Sequence, residues 1–197
     1  MLSDRNHPGQ LIVLCGPAGV GKSTISLRLE RQYGVEYIIS ATTRPRLAGD
    51  DKGKKYDHIS REEFFHRLDD NQFLEYAQVY DNYYGTPKKD ALEKLAAGKD
   101  VLLEIDVQGA LQVRFQYPNA LMIFIMPPDE ASLLSRLRER GRDTEDAIEK
   151  RFRGAKREIW MAKGSRAFDD MTINDDIDRA VLEIARLIRQ KKSPGGI

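Results

Sequence analysis

The chain has 197 residues, of which 41% are hydrophobic and 32% charged, so it has the size and composition of one globular domain. Its 32 Lys and Arg residues nearly balance its 31 Asp and Glu residues, which argues against nucleic acid as the main partner, because affinity for a polyanion needs a basic surplus. The single cysteine, Cys15, excludes an internal disulfide, and no membrane-spanning run or secretion signal is evident, so a cytoplasmic protein is expected.

Short apolar runs alternate with helical patterns along most of the chain. This alternation predicts an α/β fold of three layers, in which helices cover both faces of a mainly parallel central sheet. The predicted strands of that sheet are 11–15, 101–105, 121–125 and 171–173. The predicted helices around it are 22–32, 129–140, 145–163 and 176–190.

Residues 39–97 have a different composition, polar and rich in Tyr and charge. Here the pattern predicts a helix over 61–68 and a strand over 73–79. Another helix is predicted to follow, with Thr86 as its N-cap and Pro87 at its first position. We interpret this segment as an insertion that forms a second, smaller lobe.

The first predicted strand leads into a glycine-rich turn, where residues 16–23 match the phosphate-loop pattern G-x-x-x-x-G-K-[ST]. Glycines let successive backbone N–H groups converge on a phosphate, and the N-terminus of the next helix adds a positive field. Lys22 is expected to contact the β- and γ-phosphates of a nucleotide, and the Ser23 hydroxyl to ligate Mg²⁺. The predicted ATP-binding residues of this loop are Gly16, Pro17, Ala18, Gly19, Val20, Gly21, Lys22, Ser23 and Thr24.

The loop indicates a nucleoside triphosphate site, so the expected three-layer fold is that of the P-loop NTPases. It leaves the reaction open, since GTPases, ATPases and small-molecule kinases share the loop. The guanine-reading N-K-x-D pattern of the GTPases is absent from the sequence, which disfavours that class. The second substrate must therefore be inferred from other segments of the chain.

The predicted strand 73–79 places Glu75 in an apolar row with Phe73, Ala77 and Val79. One carboxylate can accept hydrogen bonds from both N1–H and the N2 amino group of guanine, whereas adenine presents an acceptor at N1 and is repelled. Glu75 is thus a candidate reader of guanine. The simpler alternative is a solvent-exposed glutamate on an edge strand.

Basic and aromatic side chains near this strand suit a phosphate dianion. Arg44 and Arg46 lie in a loop-like stretch, 44–53, and arginine binds phosphate through two parallel hydrogen bonds. Tyr56, Tyr83 and Tyr84 have hydroxyl groups that can donate to the same phosphate. Solvated loop charges and packing aromatic rings are the alternative for each residue taken alone.

Two carboxylates, Glu104 and Asp106, lie at the carboxyl end of the strand predicted over 101–105, the edge at which parallel sheets bind ligands. They are candidates to hold the water shell of Mg²⁺ near Ser23. The alternative for Asp106 is the cap of a helix that starts near Gln108.

Nine basic and five acidic residues lie between Arg136 and Arg157, in a chain that is nearly neutral. Arg136 and Arg140 share a helix face. Gly141 interrupts the helical pattern before the next predicted helix, which carries Arg151. Beside a phosphate loop, this segment is interpreted as an arginine-rich lid over the transferred phosphoryl group. We therefore expect a single domain, 1–197, made of a core (1–38, 98–135 and 165–197), a lobe (39–97) and a lid (136–164).

Together these segments resemble the guanylate kinases over residues 10–188. The resemblance is carried by GPAGVGKST, ISATTR, GDDKGKKYDHIS, FLEYAQVYDNYYGT, LLEIDVQG, IFIMPP, RLRERGRDTEDAIEKR and INDD, in that order and spacing. It implies a magnesium-dependent kinase of purine nucleotide metabolism. Such an enzyme transfers the γ-phosphoryl group of ATP to GMP, with dGMP as a second acceptor, and gives ADP and GDP.

The resemblance also implies a role for each matched residue. The catalytic residues are then Lys22, Arg44, Arg140 and Arg151. ATP is bound by the phosphate loop, by Arg136 and, near the adenine, by Asn174. The GMP-binding residues are Ser40, Arg44, Arg46, Tyr56, Glu75, Tyr84, Thr86 and Asp106. Mg²⁺ is held by Ser23 and Asp106.

One departure from the family concerns the GMP phosphate. The family usually has T-T-R-x-P-R, whereas here Leu47 stands where the second phosphate-binding arginine is expected, and Arg46 is the candidate replacement. Two other functions are weighed against the kinase of GMP. A related kinase of a phosphorylated sugar is disfavoured by Glu75, and a catalytically inactive scaffold is disfavoured by Lys22 and the lid arginines.

Overall fold

The structure, a computed structural model, describes residues 9–46, 56–139 and 144–192. Within these ranges the chain forms nine strands and seven helices. The strands are β1 (Leu11–Cys15), β2 (Glu36–Tyr37), β3 (Ser40–Thr42), β4 (Tyr56–His58), β5 (Phe73–Val79), β6 (Asn82–Pro87), β7 (Val101–Glu104), β8 (Leu121–Met126) and β9 (Asp170–Ile173). The helices are α1 (Lys22–Tyr33), α2 (Arg61–Asp69), α3 (Lys88–Ala96), α4 (Val107–Gln116), α5 (Glu130–Arg138), α6 (Glu145–Ser165) and α7 (Ile177–Lys192).

The central sheet has the strand order β2-β7-β1-β8-β9, and each of its pairs is parallel. Strand β1 is buried along its whole length because helices cover both of its faces. Ile12 and Leu14 point into the cluster that includes α1 and α7, whereas Val13 and Cys15 point into the cluster that includes α3 and α4. The predicted three-layer α/β fold is confirmed.

A second sheet has the order β4-β3-β6-β5, with antiparallel pairs between β3, β6 and β5. Its own small core contains Ala41, Phe64 and Phe73, and the rings of the two phenylalanines stack with centroids 4.7 Å apart. This sheet extends from one edge of the central layer, since β3 follows β2 after two residues. It gives the molecule a second wall facing the carboxyl ends of the central strands.

Most predicted elements are present, and β1 and β5 have the predicted bounds. The predicted helix cap at Thr86 is wrong. Helix α3 begins at Lys88 with Pro87 in the N-cap position, and Thr86 lies in β6, where its hydroxyl bonds to Glu75 instead of to the helix. Helix α5 ends at Arg138, and the predicted extension to Arg140 lies outside the described residues.

Within the described ranges, every helix is too short or too polar to cross a membrane.

Candidate functional site

A cavity of about 370 Å³ lies between the carboxyl ends of the central strands and the second sheet. It brings together most of the residues predicted for the two nucleotides. From the phosphate loop these are Gly16, Pro17, Ala18, Gly19, Gly21, Lys22, Ser23 and Thr24. From the acceptor side they are Ser40, Tyr56, Glu75, Tyr84 and Asp106.

The phosphate loop is held in its curved shape by Gly21 and by a buried asparagine beneath it. Gly21 has a φ of 94°, a left-handed conformation that favours glycine, and a Cβ there would lie 2.5 Å from Nδ2 of Asn174. That Nδ2 donates a 2.7 Å hydrogen bond to the carbonyl of Val20, which is buried. Asn174, predicted near adenine, therefore also supports the loop.

The two reactive side chains of the loop already have partners in the protein. Nζ of Lys22 donates to the carbonyls of Gly16 and Pro17, so the ammonium group is held at the mouth of the loop. The Ser23 hydroxyl donates to Oε1 of Glu104 at 2.8 Å. The other carboxylate oxygen of Glu104 accepts from Ser26 at 3.0 Å. Glu104 thus orients the hydroxyl that is predicted to face a metal ion.

Asp106 is the N-cap of α4, so the helix-cap alternative is correct. Its Oδ1 accepts hydrogen bonds from the backbone N–H groups of Gln108 at 2.7 Å and Gly109 at 3.0 Å. Both bonds go to Oδ1, and Asp106 also lines the cavity, so capping and ligand binding are compatible. Burial raises the pKa of this carboxyl.

The oxygen donors of Ser23 and Asp106 are of the kind that Mg²⁺ prefers, so the residues fit the predicted ion. Among the described residues, no group of three or more His, Cys, Asp or Glu side chains is arranged to hold a metal ion alone. A cation at this position therefore needs water or nucleotide oxygens to complete its coordination.

Glu75 is 4% exposed, which excludes the solvent-exposed alternative. Its Oε1 accepts a 2.5 Å hydrogen bond from the Thr86 hydroxyl, and its Oε2 lies against Gly109 in the first turn of α4. A register shift between Phe73 and Glu75 interrupts the regular alternation of β5. Phe73 therefore packs in the core of the second sheet, while Glu75 lines the cavity.

Burial raises the pKa of Glu75 to about 7, and the nearby charge of Asp106 acts in the same direction, whereas the Thr86 hydrogen bond lowers it. Between pH 4.5 and about 7, the Glu75 carboxyl is therefore protonated in the folded protein and ionised in the unfolded chain. Stability from this group is therefore lost as the pH rises through that window. We expect Glu75→Gln to stabilise the ligand-free protein at pH 8 by on the order of 2 kcal/mol, or about 4–8 °C in Tm.

Thermal unfolding of wild type and Glu75→Gln at pH 4.5 and pH 8 checks this expectation. The difference in Tm should be small at the lower pH and grow with pH, because only the wild type has to ionise the buried group. Glu93→Gln on α3 is the control, since its side chain is 67% exposed. Equal differences at both pH values would contradict the raised pKa.

The acceptor-phosphate side is formed by two tyrosines. The rings of Tyr56 and Tyr84 meet edge to face with centroids 5.5 Å apart, and the Arg44 guanidinium lies 5.7 Å from the Tyr56 ring centre. The prediction for Tyr83 is wrong, because strand alternation turns it to the other face of β6, where its ring lies 5.5 Å from Phe64. Arg46 is exposed, and Leu47 lies outside the described residues.

A cavity residue that the sequence analysis missed is Glu158 of α6. Burial raises its pKa to about 7; the charge of Lys22 acts against this shift and that of Asp106 adds to it. The available signal was helical spacing, since Glu158 lies three residues after Ala155, on the face that buries Ala155 and Ala162. A charged residue on that face has to meet the cavity or a partner.

Two of the predicted lid arginines, Arg136 and Arg151, are within the described residues, and neither lines the cavity. Arg136 donates a 2.9 Å hydrogen bond to the carbonyl of Asn174, and Arg151 is half-buried on α6. Arg140 is outside the described residues. The described lining residues include four carboxylates and a single basic side chain, that of Lys22. Two phosphate-bearing ligands therefore need further positive charge, from a cation or from arginines that approach on binding.

The chain is similar to known proteins over most of its length. The family model described as guanylate kinase matches residues 8–191. The guanylate kinase of Caldanaerobacter subterraneus subsp. tengcongensis is 45% identical over 186 residues, which cover 93% of this chain and 88% of the relative. That of Synechocystis sp. is 45% identical over 185 residues, covering 93% of this chain and 95% of the relative. The crystal structure of guanylate kinase from Anaplasma phagocytophilum has a TM-score of 0.80 at 28% identity, covering 96% of this chain and 89% of that chain.

Proposed function

Because the chain belongs to the guanylate kinase family, we propose that it transfers the γ-phosphoryl group of ATP to GMP, with dGMP as a second acceptor, and yields ADP and GDP. The observation that carries this function is the burial of Glu75 in the cavity that also contains the phosphate loop. Its carboxylate accepts the N1–H and N2 amino donors of guanine and rejects adenine. The reaction takes place in the cytoplasm, where the unpaired Cys15 stays reduced.

On the acceptor side, residues from both sheets hold GMP. Ser40, Glu75 and Thr86 bind the guanine. This role is supported by the position of the buried Ser40 and Glu75 in the cavity wall and by the hydrogen bond of the buried Thr86 to Glu75. The adjacent Tyr56 and Tyr84 bind the phosphate, together with Arg44 and Arg46. Asp106 would contribute both to the guanine pocket and to the metal site.

On the donor side, the backbone of the phosphate loop binds the ATP phosphates. Lys22 exchanges its two loop carbonyls for phosphate oxygens, which is a small movement of a flexible side chain. Arg136, Arg140 and Arg151 approach the phosphates from the lid, and Asn174 supports the loop near the adenine. The shortage of positive charge among the described lining residues supports this recruitment.

The nucleophile is a phosphate oxygen of GMP, which is ionised at neutral pH, so no general base is required. Catalysis comes from alignment of the two phosphates and from neutralisation of their charge by Lys22 and the arginines. Ser23 and Asp106 hold Mg²⁺, which neutralises charge on the β- and γ-phosphates when it is bound.

We also propose a division of the single domain into three moving parts. The core comprises 1–38, 98–135 and 165–197, the GMP-binding lobe 39–97 and the lid 136–164. The separate sheet and separate small core of the lobe support this division. Closure of lobe and lid excludes water and suppresses hydrolysis of ATP.

The test is ADP production from MgATP with GMP, dGMP, AMP, CMP and UMP offered separately. A response confined to the guanine nucleotides is the expected result. Turnover with a different acceptor would retain the kinase and overturn the guanine pocket. Binding of ATP without turnover of any acceptor would overturn the enzymatic function and favour a scaffold.

A further inference from the structure

The free edge of the second sheet is covered by a helix. Strand β5 is last in the order β4-β3-β6-β5, so one side of its backbone has no strand partner among the described residues. On that side, Nε2 of Gln108 donates to the carbonyl of Gln78 at 3.2 Å, and Nε2 of Gln116 donates to that of Leu74 at 3.4 Å. Between them, Gln112 bonds to Tyr76. We call Gln108, Gln112 and Gln116 of α4 the glutamine ladder.

The glutamine ladder can form because the spacing of every fourth residue in a helix matches that of every second residue in a strand. Four residues of an α-helix rise about 6 Å, and two residues of a strand rise about 6.6 Å. Glutamines at every fourth position of α4 therefore meet every second residue of β5, with helix and strand running in opposite directions. A side chain can thus pair with each backbone group that an edge strand leaves open.

Gln112 is the central member and makes two hydrogen bonds to Tyr76. Its Nε2 donates to the Tyr76 carbonyl at 2.6 Å, and its Oε1 accepts from the Tyr76 N–H at 3.3 Å. The amide therefore replaces a neighbouring strand at the residue directly after Glu75. The Tyr76 side chain is 42% exposed, so its ring adds less packing to this part of β5 than the buried Leu74 and Ala77 do.

On its opposite side, β5 pairs with β6, where Glu75 lies opposite Thr86 and accepts a hydrogen bond from the Thr86 hydroxyl. The pairing with β6 shifts register between Phe73 and Glu75, next to the carboxylate. Helix α4 compensates at three points, since it carries the ladder, presents Gly109 against Oε2 of Glu75 and begins at its cap Asp106. One rigid helix thus sets the position of both carboxylates of the acceptor site.

We propose that the glutamine ladder, and Gln112 above all, positions Glu75 for guanine recognition. These are positioning residues, and the inference rests on the proposed function. The two donors of guanine have to meet both carboxylate oxygens, so a small displacement of β5 weakens the base contact. The phosphate loop, formed by other segments, is unaffected.

The test is Gln112→Leu, which keeps the size of the side chain and removes both bonds to Tyr76. KM for GMP should rise about tenfold, the loss expected when one hydrogen bond to a charged group is weakened. KM for ATP should change less than about twofold. The ratio of kcat/KM for GMP to kcat/KM for IMP should fall, because IMP lacks the N2 amino group and its binding depends less on the alignment of Glu75.

Gln32→Leu is the matched control, since Gln32 is exposed on α1 and outside the cavity wall. A lower Tm with unchanged KM values and an unchanged GMP-to-IMP ratio would show a structural role only and overturn the proposal. If Gln112→Leu does not fold, Gln108→Leu loses a single bond, and a rise of about threefold in KM for GMP is expected. Wild-type protein without GMP-dependent turnover overturns the proposed function itself, and the ladder with it.

Discussion

Replacement of Lys22 by Met is expected to lower kcat/KM for ATP by about 10³-fold or more, because one preorganised positive charge at a transferred phosphoryl group is removed. Met keeps the length of the side chain and cannot donate to phosphate. The variant should still fold, since Lys22 lies at the mouth of the loop and its present partners are two loop carbonyls. Steady-state kinetics together with thermal unfolding separate the two effects.

Lys89→Met is the control for this prediction. Lys89 lies on α3 with a side chain that is 86% exposed, so its loss should change neither activity nor stability. Turnover of Lys22→Met within about tenfold of wild type would refute the assigned role of Lys22.

Gly109→Ala is expected to abolish productive GMP binding, with KM for GMP raised at least about 100-fold. A Cβ at this position would lie 2.0 Å from Oε2 and 2.9 Å from Cδ of Glu75, far inside van der Waals contact. Either the carboxylate leaves the guanine position or α4 moves together with its cap Asp106. On an unhindered helix the same change gains about 1 kcal/mol, so a loss has to come from this contact.

Gly164→Ala is the matched control, because Gly164 is also helical and a Cβ there meets no atom within 4 Å. It should leave activity unchanged and stability equal or slightly higher. A double-mutant cycle with Glu75→Ala gives a second check. When the carboxylate is absent, Gly109→Ala should cost little further stability; additive losses would show that the contact with Glu75 is not the cause.

The donor site could be predicted from the sequence because its parts are contiguous. An apolar strand, a glycine-rich turn and a helix start form the whole phosphate cradle within residues 11–24, so neighbours along the chain are neighbours in space. The strong apolar runs identified β1 and β8 for the same reason. Among the elements that the pattern did not predict, β4 and β6 are polar or aromatic and are stabilised by pairing with other strands.

The acceptor site depended on the tertiary structure. From the sequence, Glu75 was equally consistent with solvent exposure, and only packing against Thr86 and Gly109 buries it. The same holds for Thr86. The local sequence pattern predicted that it caps a helix, whereas in the structure its hydroxyl donates a hydrogen bond to Glu75.

What the sequence by itself determined is the nucleotide-binding loop, the three-layer fold and, through the order of its motifs, the family. Only the tertiary structure decided which carboxylates face the cavity and what holds them there. The deciding contacts join residues far apart in the chain, such as Gln112 and Tyr76, which are separated by 36 positions. Local propensity carries no information about such pairs, because their geometry is fixed when helix and sheet pack together.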